Sequence, residues 1–168
     1  MRSTSDFLRS GLFRPLRRED RQLANHSFLT IQIAMARRVQ VSATIDGFDD
    51  EMLTAPELGH QESAQETILS DYQPQNVLKM ELRWGGECRV ELHLIGQQGD
   101  DGTIRIDGNA KLFEGSSEDT NDLDGEIDFT FDVPAGETVV DEQTVMNEDE
   151  GGDYADIKIT VANTRAAD

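Results

Sequence analysis

The sequence predicts an all-β fold, an antiparallel β-sandwich of about seven strands. Short segments alternate apolar and polar residues with a period of two, which is typical of half-buried strands. Clusters of Gly, Asp, Asn and Pro separate these segments as turns require, and no long segment has the spacing of an amphipathic helix. The chain has 168 residues, enough for one domain with a substantial core.

The N-terminal part differs from the rest in charge. Residues 1–38 contain eight arginines and three acidic residues, whereas residues 39–168 contain seven basic and thirty-one acidic residues. Residues 1–34 are therefore predicted to be a basic extension outside the fold, disordered or not native, and residues 35–168 to be an acidic sandwich domain. Three interpretations of the extension stay open: a targeting segment, a basic arm that docks on the acidic body, or upstream sequence before a true start at Met35.

The first predicted strand begins at Val39 and ends at the turn signal Asp46-Gly47. The connection that follows, residues 47–76, is acidic and contains no Lys or Arg. Connections of this length without secondary structure are uncommon in compact domains. We therefore expect Glu62–Asp71 to form a short helix or an extra strand.

The next two strands are predicted to form a hairpin whose loop follows from the register. A two-residue loop would place Trp84 and Leu82 opposite charged side chains. A three-residue loop, Gly85-Gly86-Glu87, instead places Trp84 opposite Cys88 and Leu82 opposite Val90. Because a slip of one residue would expose the whole apolar set, we predict the three-residue loop.

Four further strands complete the prediction. Gly108 falls at a core-facing position in the first of them, which predicts a bulge or a close backbone approach. The third has fewer strong β-forming residues than the others. The four segments are Thr103–Phe113, Glu126–Val133, Thr138–Met146 and a last strand that contains Ile157, Ile159 and Val161.

The formal net charge of −19 narrows the classes of partner. So negative a surface repels nucleic acid phosphates and anionic lipid headgroups, so we expect no direct nucleic acid binding and an unknown protein partner with a basic surface. No apolar run reaches the roughly 18 residues that span a bilayer, and no secretory signal is evident. We therefore expect a soluble, cytoplasmic protein without membrane insertion. Its many Asp and few Lys residues also suit a saline habitat.

Two acidic loops predict a cation site. Alternate connections of a sandwich with reversing strands lie at one end, which brings residues 114–125 and 147–155 together if Thr138–Met146 is a strand. Clustered carboxylates repel each other, and Ca²⁺, which takes about six to eight oxygen ligands, would relieve that repulsion. The alternative is that Asp and Gly here are only good turn residues on a solvated surface. The predicted ligands are Asp119, Asn121, Asp122, Asp124, Asp149 and Asp153.

The sequence contains no recognisable catalytic constellation. Its three histidines are not spaced as ligands on one element, and its one cysteine, Cys88, shares a face with Val90 and Leu92 as a core residue does. We therefore expect a non-catalytic binding module, with Ca²⁺ as its one candidate cofactor. The alternatives are an acidic structural domain without a specific metal, a nucleic acid mimic that occupies a basic protein, and a hydrolase that uses the loop carboxylates.

Overall fold

The protein is a sandwich of two antiparallel sheets with four strands each. The computed structural model describes residues 36–49, 55–148 and 152–167, so the basic extension lies outside the described residues. The predicted all-β sandwich is confirmed, with eight strands in place of about seven. The strands are β1 (Arg37–Asp49), β2 (Glu57–Leu69), β3 (Gln75–Trp84), β4 (Cys88–Gln98), β5 (Ile104–Phe113), β6 (Leu123–Val133), β7 (Thr138–Met146) and β8 (Tyr154–Arg165).

Within each sheet, adjacent strands are neighbours in the sequence, except that β1 pairs with β8. Sheet A has the order β2-β1-β8-β7 and sheet B the order β3-β4-β5-β6, and every hydrogen-bonded pair is antiparallel. Because each strand reverses direction, β1, β3, β5 and β7 all end at the same end of the sandwich. The described residues form no helix, and so contain none long and apolar enough to cross a membrane.

The core lies between the two sheets and is built by the alternation visible in the sequence. Along β1, residues with odd numbers point inward and are buried, while those with even numbers face solvent. The same period of two appears in β5 and β8, so that burial of the apolar faces holds the sheets together. The largest fully buried side chains are Ile45, Leu69, Leu78, Leu92, Leu94, Ile104, Ile106, Leu112, Ile157 and Ile159.

Strand β2 is the part of the fold that the sequence pattern missed. Of the two structures expected within this connection, the extra strand is correct, but it runs over Glu57–Leu69 rather than Glu62–Asp71. Its inward positions include Ser63, Gln65 and Thr67, which are polar. An edge strand with little apolar surface to bury has no hydrophobic alternation, and for that reason the pattern did not reveal it.

The end of β1 also differs from the prediction. The strand does not stop at the turn signal Asp46-Gly47 but continues to Asp49, paired with β2 on one side and β8 on the other. Gly47 serves packing, because a Cβ atom there would lie 2.7 Å from the ring of Trp84. Gly59, opposite Gly47 on β2, would place a Cβ 2.8 Å from the Cβ of Trp84. The two glycines therefore make room for the largest core side chain.

The hairpin and strand β7 match the predictions. Trp84 pairs with Cys88 and Leu82 with Val90, so the three-residue loop is confirmed, and its Gly85 and Gly86 have positive φ angles of 67° and 83°. Strand β7 spans Thr138–Met146, as expected. The loop after β7 therefore lies at the same end as the loop after β5.

At Gly108 the space is filled by an aromatic ring, and no bulge forms. The pairing of β5 with β4 and with β6 passes through Gly108 without a shift in register. The ring of Phe129, its partner on β6, occupies the volume that a side chain would need, since a Cβ at Gly108 would lie 2.2 Å from that ring. The expected bulge is therefore wrong, and the close approach is made by a side chain rather than by backbone.

The first prediction concerns Gly47. In Gly47→Ala the new methyl group overlaps the Trp84 ring, and overpacking of this kind costs about 1–3 kcal/mol of unfolding free energy. The midpoint of urea unfolding should fall without a change in slope. The matched control is Ser42→Ala, an exposed position on the same strand, which should stay within about 0.5 kcal/mol of the parent. Equal stability of the Gly47 variant and the control would contradict the packing assignment.

Candidate functional site

Acidic connections meet at the end of the sandwich where β1, β3, β5 and β7 end, which we call the acidic pole. The backbone N–H of Glu118 donates to the carbonyl of Gly86 at 3.1 Å, joining the β5–β6 loop to the hairpin loop. The N–H of Glu148 donates to the carbonyl of Asp124 at 2.8 Å, joining the β7–β8 loop to the start of β6. The second of these bonds confirms the predicted proximity of the two acidic loops.

A polar cluster lies beneath these loops. Asp49, Asn147 and Asp153 are buried, with exposed fractions of 4%, 6% and 7%. The Asn147 side-chain amide donates to Glu114 Oε2 at 2.5 Å, and its backbone N–H donates to the Asp153 carbonyl at 2.9 Å. We call these three residues, together with the half-buried Glu114, the buried polar cluster. It comes from β1 and from the two acidic loops, which are distant in sequence.

The carboxyl group of Glu114 carries a strongly shifted pKa. The pKa of Glu114 is raised to about 7, first by burial and then by a hydrogen bond shared with the Asp153 carboxyl and by the charge of Asp124, while the Asn147 amide acts in the opposite direction. A protonated Glu114 can donate to the Asp153 carboxylate, so that the pair shares one negative charge. At acidic pH a proton therefore relieves the repulsion within the cluster.

Cys88 lies in the core beside this cluster. Its thiol is fully buried and donates to Asp49 Oδ2 at 3.8 Å. Burial raises the pKa of Cys88, and the nearby carboxylates, Asp49 first, raise it further. A thiol held in its neutral form is a poor nucleophile, so its placement here agrees with a structural role.

Two arginines of sheet B hold the β5–β6 loop in place. Arg83 is paired with Asp119 at 2.5 Å, and this hydrogen bond lowers the pKa of the Asp119 carboxyl. Arg89 is buried, lies 4.4 Å over the ring of Phe113 and donates to the carbonyl of Glu118 at 2.8 Å. The loop is thus fixed by cations from the neighbouring strands.

Five of the six predicted calcium ligands are among the described residues, and these five do not form one group. Asp119 is paired with Arg83, and Asn121 and Asp122 are exposed on the loop. Asp124 and Asp153 both lie near Glu114: Asp124 accepts its backbone N–H at 2.8 Å, and Asp153 shares the hydrogen bond described above. Asp149 lies outside the described residues. Within those residues no three His, Cys, Asp or Glu side chains are arranged to hold a metal ion. The calcium site stays a prediction.

The sequence reasoning missed most of the buried polar cluster. A count of seven strands places the connection after the first strand at the far end of the sandwich. The additional strand β2 reverses the chain once more, which brings Asp49 to the acidic pole opposite Glu57. Asn147 and Glu114 lay in the loops under consideration, but no local pattern distinguishes a buried amide or carboxyl from an exposed one. Only the packing of the loops against each other reveals them.

Four large apolar side chains form a row across the outer face of sheet A, at the acidic pole. Phe48 lies opposite Leu58 on one side and Tyr154 on the other, and Tyr154 lies opposite Met146. Leu58 is 75% exposed and Met146 57% exposed, while the central rings are half-buried and stacked with their centroids 5.0 Å apart. We call this set the apolar row. It takes one residue from each strand of the sheet and spans roughly 14 Å at the usual strand spacing.

The next row along the same face contains the carboxylates of Asp46 and Asp156, and we call it the acidic row. Asp46 lies opposite His60 and Asp156, and Asp156 accepts a hydrogen bond from the Thr144 hydroxyl at 2.6 Å. His60 Nδ1 lies 2.6 Å from Asp46 Oδ1, and this contact raises the pKa of His60. The two aspartates face each other across neighbouring strands. The apolar row is therefore bordered by carboxylates.

Comparison with known proteins assigns the chain to no family: no family model matches it, and the search of curated proteins finds no significant match.

The second prediction concerns Glu114. Its pKa is raised on folding, so folded molecules bind more protons than unfolded ones between about pH 4.5 and 7, and stability falls as the pH rises through that window. Glu114→Gln removes the charge, so its melting temperature at pH 8 should exceed that of the parent by roughly 2–4 °C, for about 1 kcal/mol after allowance for solvent. At pH 4 the two should agree. The control is Glu142→Gln, a change at an exposed glutamate on β7, which should show the same pH dependence of the melting temperature as the parent. The assignment would be disproved if Glu114→Gln also showed the pH dependence of the parent.

The third prediction tests calcium. If the acidic pole binds Ca²⁺ in the folded state only, millimolar CaCl₂ should raise the melting temperature more than MgCl₂ or NaCl at matched ionic strength. Asp122→Asn combined with Asp124→Asn should remove the difference, because both changes remove a negative charge. The amide oxygen introduced at position 124 can still accept the backbone N–H of Glu114. An equal response to all three salts would indicate charge screening and end the calcium assignment.

Proposed function

We propose that the protein is a non-catalytic interaction module that binds a protein partner through the apolar row. One observation carries the proposal. Four large side chains from four different strands lie together in one row, the outer two exposed and the inner two half-buried, whereas most of the other described large apolar side chains lie in the core. A folded domain gains nothing from exposing such a set to water, and contiguous exposed apolar surface of this kind is typical of binding sites.

The composition of the row resembles the centre of a protein interface. Aromatic side chains and Met are enriched at such centres, where they supply large contact areas at a small cost in conformational entropy. Phe48 and Tyr154 support each other by stacking, and their rings are half-buried already. The row is therefore partly ordered before a partner binds, which favours affinity.

The charge around the row supports a basic partner. Asp46, which is in contact with His60, and Asp156 border it, and the Lys and Arg side chains on the described outer face of sheet A lie further away. Those basic side chains are already engaged: Lys158 is paired with Glu142 at 3.2 Å, and Arg38 with Glu66 at 3.5 Å. A partner that combines apolar side chains with Lys or Arg would fill the row and pair with its carboxylates.

The outer face of sheet B offers a contrast. Four of its basic side chains are paired with acidic side chains of the same face, among them Arg105 with Asp107 at 2.9 Å and Lys111 with Glu126 at 3.2 Å. A face whose charges are largely paired within it has less to gain from a charged partner. For that reason we place the interaction surface on sheet A.

The fourth prediction tests this surface with a short synthetic peptide of Arg and Leu as the probe. In a heteronuclear NMR titration of the full chain, the amide shifts should concentrate on the apolar row and the acidic row beside it. Leu58→Ser combined with Met146→Ser should weaken binding about tenfold, because the two changes remove the most exposed apolar side chains of the proposed interface, and a tenfold loss corresponds to about 1.4 kcal/mol.

The matched control is Tyr72→Ser, since Tyr72 is 47% exposed in the connection between β2 and β3, at the opposite end of the sandwich. This variant should bind as the parent does. Shifts spread evenly over the acidic surface, or equal losses in the control, would mean that the peptide senses net charge only and would end the proposal.

A further inference from the structure

The chain contains a segment whose chemistry complements the apolar row. Residues 7–18 read Phe-Leu-Arg-Ser-Gly-Leu-Phe-Arg-Pro-Leu-Arg-Arg, with four arginines, five large apolar side chains and no acidic residue. No other stretch of this length in the chain has such a composition. It combines apolar side chains, which complement the row, with positive charge, which complements the aspartates beside the row.

The connection to the fold is long enough for this segment to reach the row. Strand β1 begins at Arg37, and Phe48 lies eleven positions further along it, or roughly 37 Å at the usual rise per residue. Residues 19–36 separate the segment from β1 and can span up to about 60 Å when extended. The segment can therefore pass along the strand and arrive at the acidic pole without strain.

Attachment to the same chain makes even a weak contact effective. A tethered ligand has an effective concentration in the millimolar range for short flexible connections, and the value falls slowly as the connection lengthens. A contact too weak to hold a free peptide can then be occupied within one molecule. The apolar row and the two aspartates beside it supply such a contact on the described surface.

We propose that residues 7–18 dock in cis on the apolar row, with their apolar side chains against Phe48 and Tyr154 and their arginines near Asp46 and Asp156. The inference deepens the proposed function and rests on it, because it assigns to the same surface an occupant from within the chain. An external partner then competes with the segment, so the chain regulates access to its own binding surface. Deletion of the segment should accordingly strengthen binding of the Arg-Leu peptide.

The fifth prediction tests the docking in the full chain by paramagnetic relaxation. A nitroxide is attached at Ser10→Cys, which leaves the arginines and the apolar residues of the segment unchanged. Cys88 is fully buried and burial raises its pKa, so it should not react, and the parent chain treated in parallel checks this. Amide signals of the apolar row should lose at least about half their intensity, and those on the outer face of sheet B should keep theirs.

Two variants and one mixture make the result specific. Arg14→Glu combined with Arg17→Glu, and separately Phe48→Ser combined with Met146→Ser, should each restore the amide signals of the apolar row, while Tyr72→Ser should leave the broadening unchanged. A mixture of isotope-labelled chain without the nitroxide and unlabelled chain with it should show no broadening. Equal broadening in the mixture would indicate docking on a second copy and overturn the assignment in cis.

The inference and the proposed function can fail separately. If the row is not broadened, or if broadening is even over the whole surface, the segment does not dock there and the inference fails. Binding of the Arg-Leu peptide at the row would then still support the proposed function. If the peptide also fails to bind at the row, both fail.

Discussion

The pairing of β1 with β8 is the contact on which the rest of the structure depends. It joins the first described strand to the last through a continuous antiparallel register, from Arg37 opposite Arg165 to Phe48 opposite Tyr154. Each of the other hydrogen-bonded pairs joins strands that are neighbours in the sequence. This one long-range pairing closes the order of the strands, places the core between the sheets and aligns the central members of the apolar row.

Strict reversal of the strands also explains why the acidity is concentrated at one end. Four connections lie at the acidic pole, and they supply Glu114, Asn147 and Asp153, while the end of β1 supplies Asp49. Buried carboxylates repel each other, which costs free energy of folding. The fold limits this cost through hydrogen bonds and through the raised pKa of Glu114, which lets this carboxyl group keep a proton up to near-neutral pH. Arg83 and Arg89 hold the β5–β6 loop in place, and their positive charges oppose the remaining negative charge at this end.

The buried polar cluster and the apolar row both lie at the acidic pole, but they differ in physical character. The cluster is buried and its described side chains have partners, so its chemistry concerns protonation and stability. The row is exposed, and its apolar atoms can gain free energy only by contact with another surface. Neighbouring carboxylates then favour cationic partners. Burial within the fold thus links one part of this end to stability, while exposure on its face supports the binding role that we propose for the other part.

Local sequence patterns predicted the elements that bury apolar side chains. The hairpin register follows from matching Trp84 to Cys88, because a one-residue slip would expose apolar groups to water. Strand β7 follows from a short β-forming segment. The same rule could not reveal β2, whose inward side chains are polar and leave no periodic signal. It also misjudged Gly47, since a glycine inside a strand and a glycine in a turn look alike until the ring of Trp84 is placed.

The candidate surfaces were even less accessible to sequence reasoning. Phe48 and Tyr154 are far apart in the chain, and each looks like an ordinary strand residue. The sequence by itself determined the all-β class, the alternating core and the acidic loops, because side-chain period and charge are local properties. Only the tertiary structure decided which carboxylates are buried together and which apolar side chains share an exposed row. Those properties depend on register between distant strands, and register is a collective outcome of packing.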